Sequence, residues 1–444
     1  MNTIFNAVDK YKNIILDAEK YIWQNPETGF KEYKTSAYLE TKMQELGYDL
    51  IKADNIPGFY TVIDTKRPGP EVLILAELDS VICYNHKDCN KETGAVHSCG
   101  HHLQTSTLLG VAGALTEPEV LNELSGKIRL CFVPAEELLE ISYRTELQKQ
   151  GVIKYLTGKT EFLHRGYFDG VDMAFMVHAG KAFTVRKGSI GAISKTVEYK
   201  GVASHAGGAP HLGVNALYAA TCGLNAINAA RETFTESDIV RVHPIITRGG
   251  DMVNAVPDKV LLESYVRAKT FEAIVNNNQK VNRALIGSAL SLGANIEIND
   301  TPAFSPLLND DEMMLVAKEA FELSYPELKL NYDPSSIGSG CTDMGDLSTL
   351  MPVVHPYSAG VVGASHGSEY YVTDLDSALL KSVVWQLTIL KLLLKNGAVR
   401  AKNIIEKFKP KFASKKEFLE FVDSLSSSGE KIVYNGDTAL VKLK

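Results

Sequence analysis

Between Ile4 and Leu46 apolar residues recur at three- and four-residue intervals, the period of an amphipathic helix, with a break at Pro26-Glu27-Thr28-Gly29. The run Val72-Leu73-Ile74-Leu75-Ala76 contains no polar residue and predicts a strand buried on both faces. A helix is predicted from about Leu103 to Leu115. A second strand follows over Lys127 to Val133, stopped by Pro134, and a third over Val171 to Val177. Strands alternating with helical stretches predict an α/β domain built on a mostly parallel, helix-covered sheet.

From Gly188 to about Asn299 the pattern changes. Ile190 to Tyr199 alternates like a strand, and Asn215 to Arg231 has helical periodicity. Lys259 to Lys269 reads as a strand, Phe271 to Leu292 as a helix and Ala294 to Ile298 as a strand. This order predicts an α+β sandwich over 188–302, inserted in a discontinuous domain made of 1–187 and 303–444. Two domains also suit 444 residues, more than one hydrophobic core comfortably serves. The tail, 401–444, is lysine-rich and amphipathic, with no role evident from its pattern.

Composition narrows the class. Hydrophobic residues make up 45% and charged residues 22%, as in ordinary globular proteins. The formal charge of −7 lacks the basic surplus a nucleic-acid partner would require. The first residues show no charged segment followed by an apolar one, so no secretory signal is predicted. Apolar stretches such as Ala378 to Leu394 are short or interrupted, so no membrane span is predicted. Six cysteines at positions 83, 89, 99, 131, 222 and 341 are irregularly spaced, which predicts reduced thiols and a cytoplasmic location.

Candidate chemistry collects where predicted strands end, the place where parallel sheets gather ligands. Glu77 and Asp79 follow the first strand, Glu136 and Glu137 the second, and His178 the third. Cys99 and His101 lie one residue apart in a glycine-containing segment, and thiolate and imidazole are natural ligands of zinc and related metals. Three readings of that segment stay open: a metal site, a buried cysteine beside exposed histidines, and a Cys/His nucleophilic pair. Glu136-Glu137 reads either as a metal ligand beside a base or as an acidic helix start. His178 and His366 each read as ligands or as hydrogen-bonded histidines.

Taken as a set, these segments resemble a known family. His97-Ser98-Cys99-Gly100-His101 is similar to the His-Ala-Cys-Gly-His signature of the amidohydrolases of indole-acetyl-amino-acid conjugates. That branch shares a co-catalytic metallopeptidase family with aminoacylase and carboxypeptidase G. Pro134-Ala135-Glu136-Glu137 matches its Pro-Ala-Glu-Glu motif, and Ser204-His205-Ala206-Gly207 with Pro210 resembles its lid-domain histidine motif. Asn254-Ala255-Val256-Pro257 is similar to its Asn-Val-Ile-Pro, with Arg267 at the matching downstream arginine. Ala76-Glu77-Leu78-Asp79 and Thr342-Asp343-Met344-Gly345-Asp346 look closest to aminobenzoyl-glutamate hydrolases and dipeptidase-like members. The likeness runs from about Ala18 to Leu394.

The resemblance implies metal ligation by Cys99, His101, Glu137, His178 and His366, with one or two divalent ions; zinc, manganese, cobalt and nickel are all admissible. It implies Glu136 as catalytic base; on that mechanism Asp79 is expected to orient a ligand and Asn254 and Arg267 to hold a substrate carboxylate, with a strand-surface salt bridge as the other reading of Arg267. It also implies His205 as a lid residue reaching a neighbouring subunit, and 188–302 as the lid and dimerisation domain of a homodimer. The expected activity is hydrolysis of the amide of an N-acyl amino acid or related small aminoacyl conjugate. Dipeptide cleavage is the alternative within the family; a thiol hydrolase using Cys99 and a non-catalytic binding protein on the same scaffold are the alternatives outside it. Three departures stand out: His102 replaces the usual Asp or Asn, and the segments 80–95 and 138–166 are longer than in most relatives. Both insertions are expected to border the substrate pocket.

Overall fold

The computed structural model describes residues 1–443, which divide into two compact units. The first comprises Met1–Gly188, Leu307–Gly338 and Thr342–Lys415. Its centre is a six-stranded sheet in the order Ile51–Lys52, Phe59–Asp64, Lys127–Val133, Glu71–Glu77, Met173–Phe175, Val353–Val354. The last four strands are parallel, and the first two pair antiparallel at one edge. All seven residues of Glu71–Glu77 are buried, as expected for a strand covered on both faces. The predicted third strand ends early, at Phe175. His178–Ala179 instead joins a second sheet, parallel to Tyr357–Ser358.

Helices cover this sheet. The first periodic segment becomes Asn2–Lys10, Lys12–Gln24 and Tyr33–Glu45. His101–Leu115 is buried along its whole length, which explains why it reads as apolar rather than amphipathic. Gly110 lets neighbouring side chains close in on this helix, because a Cβ there would stand 2.6 Å from Ile15 Cδ1. Asp376–Lys407 is long and apolar enough to cross a membrane, yet 83% of its most apolar stretch is buried. It serves as a core helix, with Trp385 donating its indole N–H to the Ala317 carbonyl at 2.8 Å.

The longer segments have defined local structure. Residues 80–95 form a hairpin between Val81–Ile82 and Ala95–Val96, closed by a turn in which buried His86 contacts the Tyr370 carbonyl through Nε2 at 3.0 Å. Residues 138–166 carry the helices Ile141–Lys149 and Gly158–His164.

The second unit comprises Ser189–Pro306, Ser339–Cys341 and Lys416–Lys444. Its antiparallel sheet runs Arg241–Val242, Lys259–Ala268, Gly191–Lys200, Asn295–Phe304, with Ile245–Arg248 also on Lys259–Ala268. Alternate burial along Lys259–Ala268 is the signature of a sheet with one covered face. Ala216–Ala230 and Phe271–Ser291 share a core with it through Val197, Leu262, Leu285 and Ile298. Each helix starts on a side-chain cap: Asn215 Oδ1 accepts from the Tyr218 N–H and Thr270 Oγ1 from the Ala273 N–H. The tail divides after Lys415: its last part packs in this unit, where Ile432 enters the core and Ser427 and Glu430 bridge to Asp300 and Glu297.

Trp385→Ala removes the largest fully buried side chain and orphans the Ala317 carbonyl. It should cost about 3–5 kcal/mol, read as a lower urea midpoint for the first unit with no change in the second.

Candidate metal centre

The carboxyl ends of the parallel strands deliver the site. Glu77 is the last residue of its strand, Asp79 lies two residues on, and Glu136 and Glu137 follow the adjacent strand after Pro134. His101 opens the buried helix, preceded by Gly100 at φ 100. That backbone conformation favours glycine, and a Cβ at Gly100 would also stand 2.5 Å from Tyr370 Oη. His178 begins the second sheet, and His366 sits in a loop at φ 63, its N–H donating to the Ser98 carbonyl at 2.8 Å.

Asp79 ties these elements together. His101 Nδ1 lies 2.9 Å from the Asp79 carbonyl oxygen and 3.1 Å from its Oδ1, while the Glu137 N–H donates to Asp79 Oδ2 at 2.8 Å. With Nδ1 donating, the lone pair of His101 falls on Nε2. That atom is buried, stands 3.2 Å from Glu77 Oε2 and makes no hydrogen bond. His178 repeats the arrangement: Nδ1 donates to the Ala179 carbonyl at 2.7 Å and Nε2 faces Cys99 Sγ at 3.6 Å. His366 Nε2 lies 2.8 Å from Glu137 Oε1.

Three sets of donor atoms therefore converge, each within 4.8 Å of one another: Cys99, His101 and His178; Cys99, Glu137 and His366; Glu77, His101 and Glu136. Cys99 belongs to the first two sets. Thiolate, imidazole and carboxylate suit zinc, manganese, cobalt or nickel, and the unpartnered Nε2 of His101 is the kind of buried acceptor that a cation satisfies. The residues fit a pair of divalent ions.

The buried charges of the site shift one another's titration in opposite directions. Burial alone would lower the His101 pKa, but Glu77 and Asp79 push it up to about 9. Burial and the neighbouring His101 push His178 down to about 4. Glu77 resists burial and falls well below the ordinary carboxylate range, because the Lys159 ammonium and His101 face it. Glu136 goes the other way: burial, then the charges of Glu77 and Glu137, raise it well above that range. Burial and the carboxylates of Glu137 and Glu136 also raise the Cys99 thiol.

Five of the anticipated ligands, together with Asp79 and Glu136, meet in the first unit. The other three anticipated residues lie in the second. His205 and Ala255 pair across two chain segments, which sets the exposed His205 and Asn254 side by side. His205 Nδ1 accepts from the Gly207 and Gly208 N–H groups at 3.2 and 2.9 Å, leaving Nε2 as its outward atom. Arg267 lies in Lys259–Ala268 with its guanidinium 5.2 Å from the Tyr265 ring centroid and its Nε buried without a partner.

Several members of the site were not singled out from sequence. Lys159 is fully buried and spans Glu77 Oε1 and Asp343 Oδ1, each at 2.5 Å. It comes from 138–166, where a lysine between Gly158 and Thr160 reads as a surface residue. Gln104 Nε2 donates to Glu77 Oε2 at 2.8 Å, one helical turn after His101. His355 is buried, stacked 5.8 Å from His178, and neither of its ring nitrogens has a partner. Glu32 Oε1 accepts the Ala135 N–H at 2.8 Å across a span of 103 residues, which no local pattern reveals.

Comparison with known proteins gives the family and the fold. Residues 73–391 match the model of peptidase family M20/M25/M40. N-acetyl-L-cysteine deacetylase of Bacillus subtilis (strain 168) is 28% identical over 325 residues, 69% of this chain and 71% of that protein. Among solved structures, a putative aminohydrolase from methicillin-resistant Staphylococcus aureus superposes with a TM-score of 0.70 at 20% identity, covering 89% of this chain and all of that one. A dinuclear metal-binding peptidase of the M20 family from Bacillus subtilis gives 0.64 at 19% identity, covering 87% and 99%. The matched family model spans the strands, turns and loops that carry every donor of the metal centre, so the chain belongs to peptidase family M20/M25/M40 and is a metal-dependent hydrolase of carbon–nitrogen bonds.

Proposed function

We propose that the chain hydrolyses the amide of an N-acyl amino acid or a related small aminoacyl conjugate, with Glu136 as general base. The observation that carries this reading is the position of Glu136. It stands among the donor sets, buried, and makes no hydrogen bond among the described residues, while its neighbour Glu137 is engaged by His366. Divalent ions held by Cys99, His101, Glu137, His178 and His366 would polarise the scissile carbonyl and acidify a water. Glu136 takes the proton from that water and returns it to the departing amine, a role worth about 10² to 10⁴ in rate. Asp79 fixes the tautomer of His101 and the backbone of Glu137, so it acts as a positioning residue.

His205, through its outward Nε2, serves as the donor to the tetrahedral oxyanion, and Asn254 and Arg267 hold the substrate carboxylate. The second unit exposes large apolar side chains at Val202, Leu212, Ile245, Met252 and Val253, which supports a homodimer in which His205 completes a neighbour's site. The cytoplasm, where thiols stay reduced, suits six cysteines that are all free. Dipeptide cleavage in the same centre is the second reading within the family. A thiol hydrolase is disfavoured because a nucleophilic cysteine needs a lowered pKa, whereas burial, then the Glu137 and Glu136 carboxylates, raise that of Cys99.

Glu136→Gln should retain its ions while turnover falls by about 10²-fold or more, measured by elemental analysis beside an assay panel of N-acyl amino acids, aminoacyl conjugates and dipeptides. Undiminished activity would reject Glu136 as base, and the preferred substrates decide between amidohydrolase and dipeptidase. Cys99→Ala should lower the metal stoichiometry. Mixing inactive Glu136→Gln and His205→Ala chains should restore part of the activity if the site is shared between subunits, and no rescue would count against sharing. Lys159→Met leaves Glu77 and Asp343 buried without their cation and should cost about 3–5 kcal/mol, read by denaturant unfolding.

A further inference from the structure

The segment after Lys415 has no part in the metal centre, but it walls a cavity in the second unit. This cavity, of about 420 Å³, lies between helix Phe271–Ser291 and the tail; its polar lining includes Asn278, Asn282, Asp300, Ser426, Ser428 and Lys431. Its size is that of a small-molecule site.

The charges around it do not cancel. Asp300 is fully engaged: its Oδ1 takes the Lys195 ammonium, and its Oδ2 accepts from Asn278 Nδ2 and Asn282 Nδ2, each at 2.8 Å, and from Ser427 Oγ at 3.3 Å. Lys195 is spent on Asp300 and on Asn282 Oδ1. Lys431 is left over. The residue is only 2% exposed, and its ammonium makes no ion pair or hydrogen bond among the described residues. Asn278 Oδ1 is buried and likewise has no donor. An ammonium with no direct partner and a buried acceptor with no donor thus both line the cavity, and the unmatched acceptor is costly unless something satisfies it.

We propose that this cavity binds a small oxyanion that also carries a hydrogen-bond donor. The oxyanion meets the Lys431 ammonium and the hydroxyls of Ser426 and Ser428, which are exposed and open to a ligand. The donor hydrogen goes to Asn278 Oδ1. Inorganic phosphate, with its P–O–H group, and a free α-amino acid, with carboxylate and ammonium, both have this chemistry. Either one would link residues 426–431 to helix Phe271–Ser291 and fasten the tail. The inference is independent of the hydrolytic reading.

Titration calorimetry on the full chain tests it with inorganic phosphate and glycine, using acetate as an oxyanion without a donor. Phosphate or glycine should bind saturably with a Kd of roughly 1 mM or tighter, and acetate at least about tenfold more weakly, a gap of about 1.4 kcal/mol. Binding of phosphate alone assigns the site to phosphoryl compounds, and binding of glycine alone assigns it to amino acids. Lys431→Met should abolish the binding. Ser428→Glu, at an exposed position that places a carboxylate at the cavity, should abolish it too while leaving turnover unchanged. The proposal is overturned if neither ligand binds, if acetate binds as tightly, or if binding survives Ser428→Glu.

Discussion

The candidate metal centre depends on one carboxylate. Asp79 reaches His101 with one oxygen and the backbone N–H of Glu137 with the other, so candidate donors from a helix start and a strand end share one anchor. The strand Glu71–Glu77 is parallel to Lys127–Val133 with Glu77 opposite Val133, which brings the residues after both strands to the same edge. Because His101 uses Nδ1 on Asp79, its Nε2 faces inward, and the donor sets converge only with that ring orientation. The sheet register and the tautomer are therefore two parts of one constraint.

Behind this anchor the protein buries a lysine. Lys159 would be expensive alone, but it lies between Glu77 and Asp343, and its own backbone N–H donates to Asp343 Oδ2 at 2.8 Å. Buried ion pairs add little net stability compared with apolar packing. The gain lies elsewhere: the ammonium keeps Glu77 ionised and aimed at His101 in a cluster already dense with carboxylates. The segment 138–166 thus supports the centre from behind. Buried Arg144, from the same segment, donates to the carbonyls of Leu156, at 2.6 Å, and Glu137. The sequence placed this insertion only at the pocket rim. Its supporting role rests on contacts between residues far apart in the chain, such as Lys159 with Asp343, which spacing does not encode.

What was legible follows the same division. The buried strand 72–76, the helix after Leu103 and the strand–helix alternation of the second unit all appear near their expected positions, because burial period and caps are local properties. The short strands were not legible. His178–Ala179 and Tyr357–Ser358 are two residues long, and a pair at that length has no period to read. His355 was missed for the same reason, since Val353–Val354 is too brief to mark it as a strand end. The strand Phe59–Asp64, second from the sheet edge, is half-covered and has mixed polarity, so it resembles a loop until Lys127–Val133 pairs with it.

Local rules fail most clearly where the ligands are held. Ala135 and His366 both occupy left-handed backbone at φ 56 and 63, a conformation costing non-glycine residues about 1–3 kcal/mol. Ala135 directly precedes Glu136, and its peptide groups are held by Glu32, Gly158 and Arg144. His366 is fixed through its N–H on Ser98, one residue before Cys99. Strain held this firmly is strain that the surrounding contacts outweigh, and the two sites of it flank the second donor set of Cys99, Glu137 and His366. The backbone at both positions is therefore held by contacts from within the protein itself, from Glu32, Gly158, Arg144 and Ser98.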